Sequence, residues 1–153
     1  MKGQTAIEYL MTYGWAILII LIVAGVLAYY GIFAPAGFLG PSAKGFAQVS
    51  IVSPWDVSSN TLRVQFENRV GSSITITNVS ADEGSTVPVP PIACSAISLS
   101  LAAGERSTAQ TLTCNGIGTL TTGSSYTIYV IITYDAGTMT DLKSTGTLSG
   151  TSS

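Results

Sequence analysis

Residues 4–34 read QTAIEYLMTYGWAILIILIVAGVLAYYGIFA, and Pro35 follows. From Tyr9 to Ala43 there is no Asp, Glu, Lys or Arg, so 35 consecutive residues carry no charge. The part from Gly14 to Ala34 is long enough to cross a hydrocarbon core of ~30 Å at ~1.5 Å per residue. Leu, Ile, Ala and Met dominate the run, no proline interrupts it, and Pro35 stops it. The segment predicts one long helix over 4–34. Between Trp15 and Leu27 it is apolar on every side, as suits a helix in lipid or among other helices. Tyr9, Tyr13, Trp15, Tyr29, Tyr30 and Phe33 gather towards its two ends, like the aromatic belts of a membrane span. Lys2 lies on the N-terminal side and a polar region follows the helix, which predicts a cytoplasmic start and an external remainder.

Past Pro35 the composition changes. Ser and Thr take over, 19 of each in the whole chain of 153 residues, and Gly and Pro punctuate short apolar runs. Thr61-Leu62-Arg63-Val64-Gln65-Phe66-Glu67 alternates strictly, which places Leu62, Val64 and Phe66 on a core face. Ser73-Ile74-Thr75-Ile76-Thr77 and Ile97-Ser98-Leu99-Ser100-Leu101 repeat the pattern. Ala47, Val49 and Ile51 predict an earlier strand ending near Pro54, and YTIYVIITY over 126–134 predicts a central strand apolar on both faces. Gly71, Gly84, Gly104, Gly123 and Gly137 fall between these runs as turn signals. About seven short strands over ~100 residues predict an immunoglobulin-like β-sandwich at 46–153. The expected fold class is α+β, a long hydrophobic helix and then an all-β domain. Residues 35–45, with Pro35, Gly37, Gly40, Pro41 and Gly45, read as the linker.

Composition excludes several functions. Only 9% of residues are charged while 46% are apolar, and mean hydropathy is +0.47, the opposite of a disordered chain. There is no histidine, which removes imidazole catalysis, the usual Ser/His/Asp and Cys/His triads and most zinc sites. A net charge of −2 with no basic cluster lacks the footprint of a nucleic-acid binder. Asp56, Glu67, Asp82, Glu83, Glu105, Asp135 and Asp141 fall mostly in predicted turns or on polar strand faces. The adjacent Asp82-Glu83 pair reads as a solvated loop and not a calcium site. Neither an enzyme, a cofactor nor a metal is expected. In an external domain Cys94 and Cys114, with 19 residues between them, read as a disulfide worth roughly 3 kcal/mol, against two separate buried thiols. Asn78-Val79-Ser80 is the single N-x-[ST] sequon, an acceptor for N-glycosylation.

The first ten residues, MKGQTAIEYL, need a separate explanation. Glu8 is the only acid in the first 55 residues and stands at the cytoplasmic end of the apolar helix. A carboxylate in or near lipid is costly and marks function by default. Lys2-Gly3 supplies a basic and a small residue before Gln4, which suits a peptidase cutting at the inner membrane face. Cleavage after Gly3 would make Gln4 the first mature residue and Glu8 the fifth. This arrangement resembles the class III signal peptide of archaeal type IV pilin-like proteins, in which Gln opens the mature chain and Glu is fifth. Gln4, Glu8 and Leu10 match favoured positions, Lys2-Gly3 match the cleavage side, and the resemblance spans residues 2–34.

The resemblance implies a 1–3 leader, a precursor inserted in the membrane, and trimming by a membrane prepilin peptidase. An assembly ATPase and a membrane platform would then extract the chain into an adhesive extracellular filament. Helices would form the core of this self-polymer and small β-sandwiches its exterior. The Glu8 carboxylate would pair with the free α-amino group of Gln4, on a neighbouring subunit or its own chain. Cyclisation of Gln4 to pyroglutamate would remove that amine and leave Glu8 to a neutral donor. Ala24 and Ala28 form a small-xxx-small pair that lets helices approach closely. Outside lipid, some fifteen large apolar side chains at ~1.5–3 kcal/mol each would hold such a polymer together.

Other readings are weaker on these residues. Ala34-Pro35-Ala36 has the form of an ordinary signal-peptidase site, but the apolar region of ~20 residues exceeds the usual 7–15. A single-span anchor carrying a binding sandwich leaves residues 1–10 unexplained. Swimming-filament subunits of the archaellum type are usually richer in Gly-Ile-Gly and lack the Gln-to-Glu spacing. A membrane-bound enzyme would need polar groups converging in a pocket.

Overall fold

The computed structural model describes residues 4–29 and 40–153, and the chain divides after Phe38 into two units. The first holds helix α1, Gln4–Tyr29, 26 residues or ~39 Å long. Residues 30–34 of the expected helix, and Pro35 and Gly37 of the expected linker, lie outside the described residues. From Ala6 to Tyr29 every side chain is exposed except the half-buried Leu27. A surface helix of a globular domain buries one apolar stripe, and α1 buries none. Ala6–Tyr29 is long and apolar enough to cross a membrane by length and composition.

The second unit contains eight strands among the described residues: β1 (Ser42–Lys44), β2 (Val49–Ser58), β3 (Thr61–Asn68), β4 (Ile74–Glu83), β5 (Leu99–Leu101), β6 (Gln110–Thr113), β7 (Ser125–Ala136) and β8 (Met139–Thr151). They form two antiparallel sheets, β1-β8-β7-β4-β5 and β2-β3-β6. The chain changes sheet between β1 and β2, β3 and β4, β5 and β6, and β6 and β7, and from β2 onward this is the crossing pattern of immunoglobulin-like sandwiches. The expected α+β class, helix first and sandwich second, is therefore present. Leu62, Val64 and Phe66 of β3 are fully buried and share one core with Ile76 and Val79 of β4 and Ile128, Val130, Ile132 and Tyr134 of β7. Strand β7 is central, between β4 and β8, and Ile131 on its second face is only 7% exposed.

Several boundaries differ from the sequence expectation. The strand expected to end near Pro54 continues to Ser58. The β2–β3 register shifts between Val52 and Asp56, and this bulge absorbs Pro54 and returns Val57 to the core. Within the span expected to be linker, Ser42–Lys44 pairs with β8, Ser42 opposite Ser149 and Lys44 opposite Thr147. The longest strand, β8, carries little apolar alternation because Gly146 and Gly150 occupy buried positions. A Cβ on Gly146 would stand 2.5 Å from the Lys44 carbonyl oxygen and 2.7 Å from the Phe46 ring. One on Gly150 would stand 2.8 Å from the Tyr126 hydroxyl.

Asp82 is the clearest correction. It does not lie in a solvated loop but inside β4, opposite Tyr129 and 7% exposed. Its Oδ2 accepts the Ile92 N–H at 3.1 Å, and Gly116 packs so closely that a Cβ there would collide with Asp82 Oδ1. Glu83 alone of the pair is exposed.

Cys94 and Cys114 are joined as a disulfide. Cys94 follows the Ala93 bridge to Ser80 on the larger sheet, and Cys114 follows β6 of the smaller one, so the bond ties the two sheets together.

Glu67 fastens a second junction. It accepts from Arg106 Nε at 2.9 Å and Arg69 Nε at 2.8 Å, and Ser50 Oγ reaches it at 3.4 Å. The hydrogen bonds from Arg106 and Arg69 hold its carboxyl below the usual carboxylate range. A depressed folded-state pKa contributes stability above the unfolded value, and that stability is lost as pH falls through the folded one. Melting temperature should therefore fall as pH drops below about 4.5, and Glu67→Gln should flatten that slope slightly, as befits partly exposed ion pairs. Melts across this range check it, and a parallel fall in both proteins would refute it.

Candidate functional site

Four of the residues singled out from sequence stand on α1. Gly3 lies outside the described residues, and Gln4 occupies the first position of the helix. Glu8 stands one turn later, ~6 Å along the axis. Side chains tilt towards a helix's N-terminus, so Glu8 leans back over the turn that begins at Gln4. Thr12 Oγ1 donates to the Glu8 carbonyl oxygen at 2.9 Å, which satisfies that hydroxyl inside the helix. Tyr9 and Tyr13 stack with centroids 4.2 Å apart at 29°, and with Thr12 they flank Glu8 around a shallow hollow. No group among the described residues pairs with the Glu8 carboxylate.

Ala24 and Ala28 lie on the other side of the helix. At ~100° per residue they stand about 160° and 200° around the axis from Glu8. Gly25 adjoins them, and nothing stands within 4 Å of a Cβ placed on it or on Gly14. Gly14 opens a notch of about 260 Å³ lined also by Leu10, Met11, Trp15 and Leu18, a hole of the sort that receives a side chain of a packed helix. The acid and the close-approach surface therefore face opposite ways.

On the sandwich, Asn78 is exposed where β4 bulges between Ile76 and Asn78 and runs beyond its pairing with β5. Ser80 of the same sequon is only 7% exposed, beside the Ala93 bridge. Two further acids serve local structure: Asp135 Oδ1 accepts the Asp141 N–H at 2.9 Å, and Glu105 Oε2 accepts the Ala102 N–H at 2.7 Å.

One site went unread in the sequence. At the β2 bulge, Trp55 is half-buried against the core, and its Nε1 donates to the Tyr126 hydroxyl at 3.1 Å. Burial, partly offset by this bond, raises the Tyr126 pKa, and the nearby Asp56 charge adds to the rise, so the phenol stays neutral at physiological pH. Pro54, Trp55, Asp56, Arg63, Gln65 and Ala109 enclose a hollow of about 330 Å³. The available signal was the Pro54-Trp55-Asp56 interruption in an otherwise alternating strand.

The chain matches no protein-family model and no curated protein.

Proposed function

We propose that this chain is the structural subunit of an extracellular type IV pilus-like adhesive filament, trimmed after Gly3 by a prepilin peptidase. It would wait in the cell membrane with its N-terminus cytoplasmic, then be extracted by an assembly ATPase and a membrane platform and polymerise through α1. The observation that carries this reading is the helix: its described side chains from Ala6 onward are almost all exposed, and its single carboxylate lies opposite its small-residue side. So much apolar surface requires lipid or other copies of itself. A partner packed closely on Ala24 and Ala28 lies on the wrong side to meet Glu8, so where Glu8 pairs with a neighbouring subunit each helix needs at least two neighbours. Contacts on opposite faces that do not close on themselves build an open helical polymer.

The sandwich would form the exterior. Its hydroxyl-rich surface and its disulfide suit an oxidising, exposed setting. Asn78 would carry a glycan, and because Ser80 is covered in the folded domain, transfer belongs before or during folding.

Intact-mass and N-terminal peptide analysis of protein sheared from cells tests the reading. A chain beginning at Gln4 or its pyroglutamate form is the expected result, with added mass on the Asn78 peptide. An intact Met1 found only in membranes would favour a single-span anchor and overturn the proposal. A chain starting at Gly37 would do so equally, as an ordinary secreted domain.

A further inference from the structure

The Trp55 hollow is unrelated to polymerisation through α1, and its chemistry is specific. A sugar ring presents an apolar C–H face and a rim of hydroxyl pairs. Its recognition calls for a flat aromatic surface beside planar groups that each hold two hydrogen bonds. Trp55 supplies the surface. Its indole N–H is already taken by Tyr126, so the ring is held in one orientation before any ligand arrives.

The polar groups around the ring are largely unused. Arg63 is exposed, and neither its guanidinium nor the Gln65 amide has a side-chain hydrogen bond or ion pair among the described residues. Asp56 Oδ1 accepts from Ser153 Oγ at 2.6 Å, while Oδ2 accepts no hydrogen bond among the described residues. Asp56 and Arg63 are register partners across β2 and β3, so their charges offset each other locally. That balance favours an uncharged ligand over an anionic one. At about 330 Å³ the hollow lies near the lower end of ligand pockets, suited to one ring of a larger glycan.

We infer that this hollow is a saccharide-binding subsite for a neutral hexopyranose. The ring would stack on Trp55, its hydroxyls donating to Asp56 and accepting from Arg63 and Gln65. The inference does not depend on the filament reading, because a single unassembled chain contains the whole site.

The test uses the full chain in detergent micelles, with Trp15→Phe so that fluorescence reports Trp55 alone. Methyl glucoside, methyl galactoside, methyl mannoside and, as the charged comparison, glucuronate are titrated separately. At least one neutral glycoside should change the emission saturably with a millimolar Kd. Arg63→Ala and Gln65→Ala should each weaken that binding about tenfold without altering the melting temperature. Trp55→Ala should abolish it, but the two polar variants carry the test because they leave the core intact. The proposal is overturned if no neutral glycoside saturates, if glucuronate alone binds, or if both polar variants bind like the parent.

Discussion

If this chain is trimmed and polymerises as proposed, Glu8→Ala should yield precursor that enters the membrane and is trimmed normally, yet few or no filaments. Removing a carboxylate from the end of an apolar helix eases its residence in lipid, so insertion should not suffer. Trimming depends on the residues at the cut, Gly3 and Gln4, which are unchanged. The loss falls on assembly. In a dry helical core, a charged α-amino group of Gln4 without its carboxylate is a buried ion left alone. Breaking a buried pair by removing one member costs about 3–5 kcal/mol. At ~1.4 kcal/mol per factor of ten, each subunit added would be disfavoured roughly a hundredfold or more. Because every subunit repeats the contact, the polymer should disappear and not merely shorten.

Two companions separate the possible causes. Glu8→Gln keeps a hydrogen-bond acceptor without the charge, so intermediate assembly would identify charge pairing as the missing element. Gly3→Val puts a bulky residue before the cut and should leave an uncleaved, membrane-bound precursor. Electron microscopy of sheared material with intact-mass analysis reads all three. Normal filaments from Glu8→Ala would remove the pairing role.

The second large effect is on the head domain. Replacing both Cys94 and Cys114 by Ala should lower stability by about 3 kcal/mol, the loop-closure contribution for a loop of this length. For a domain of this size that is a fall in melting temperature on the order of 10 °C. The bond joins a segment bridged to β4 with the end of β6, so its loss removes a covalent tie between the sheets as well as enlarging the unfolded ensemble. Cys114 is fully buried, so its truncation adds a small cavity term. Reduction of the parent protein should give a shift of similar size. A double variant melting with the parent would refute the staple.

How much of this was legible in advance depended on how far each feature's cause lies along the chain. Helix α1 was legible because an uncharged apolar run is decided by its own residues. So was β3, where period-2 alternation at Leu62, Val64 and Phe66 is enough to choose a buried face. The Cys94–Cys114 bond was readable because the chain has two cysteines and the domain was expected outside the cell. Glu8, Ala24 and Ala28 could be named from sequence, and helical geometry then places the acid opposite the alanines.

Other features depended on distant partners. β8 lacked an apolar pattern because its inward Gly146 and Gly150 make room for Lys44, Phe46 and Tyr126, residues 20 or more positions away. Asp82 looked like loop until β7 and Gly116 closed around it, and an adjacent acid pair carries no local sign of being covered. The Trp55 hollow needed a bulge in β2, register pairing with Arg63 on β3 and a phenol from β7, three separate stretches of chain. Local periodicity and composition therefore determined helix α1 and the regularly alternating strands, with the side chains buried in them. Tertiary packing alone decided where glycine was obligatory, which acid was covered and where an aromatic ring met unused polar groups, because each depends on close approach between segments far apart in sequence.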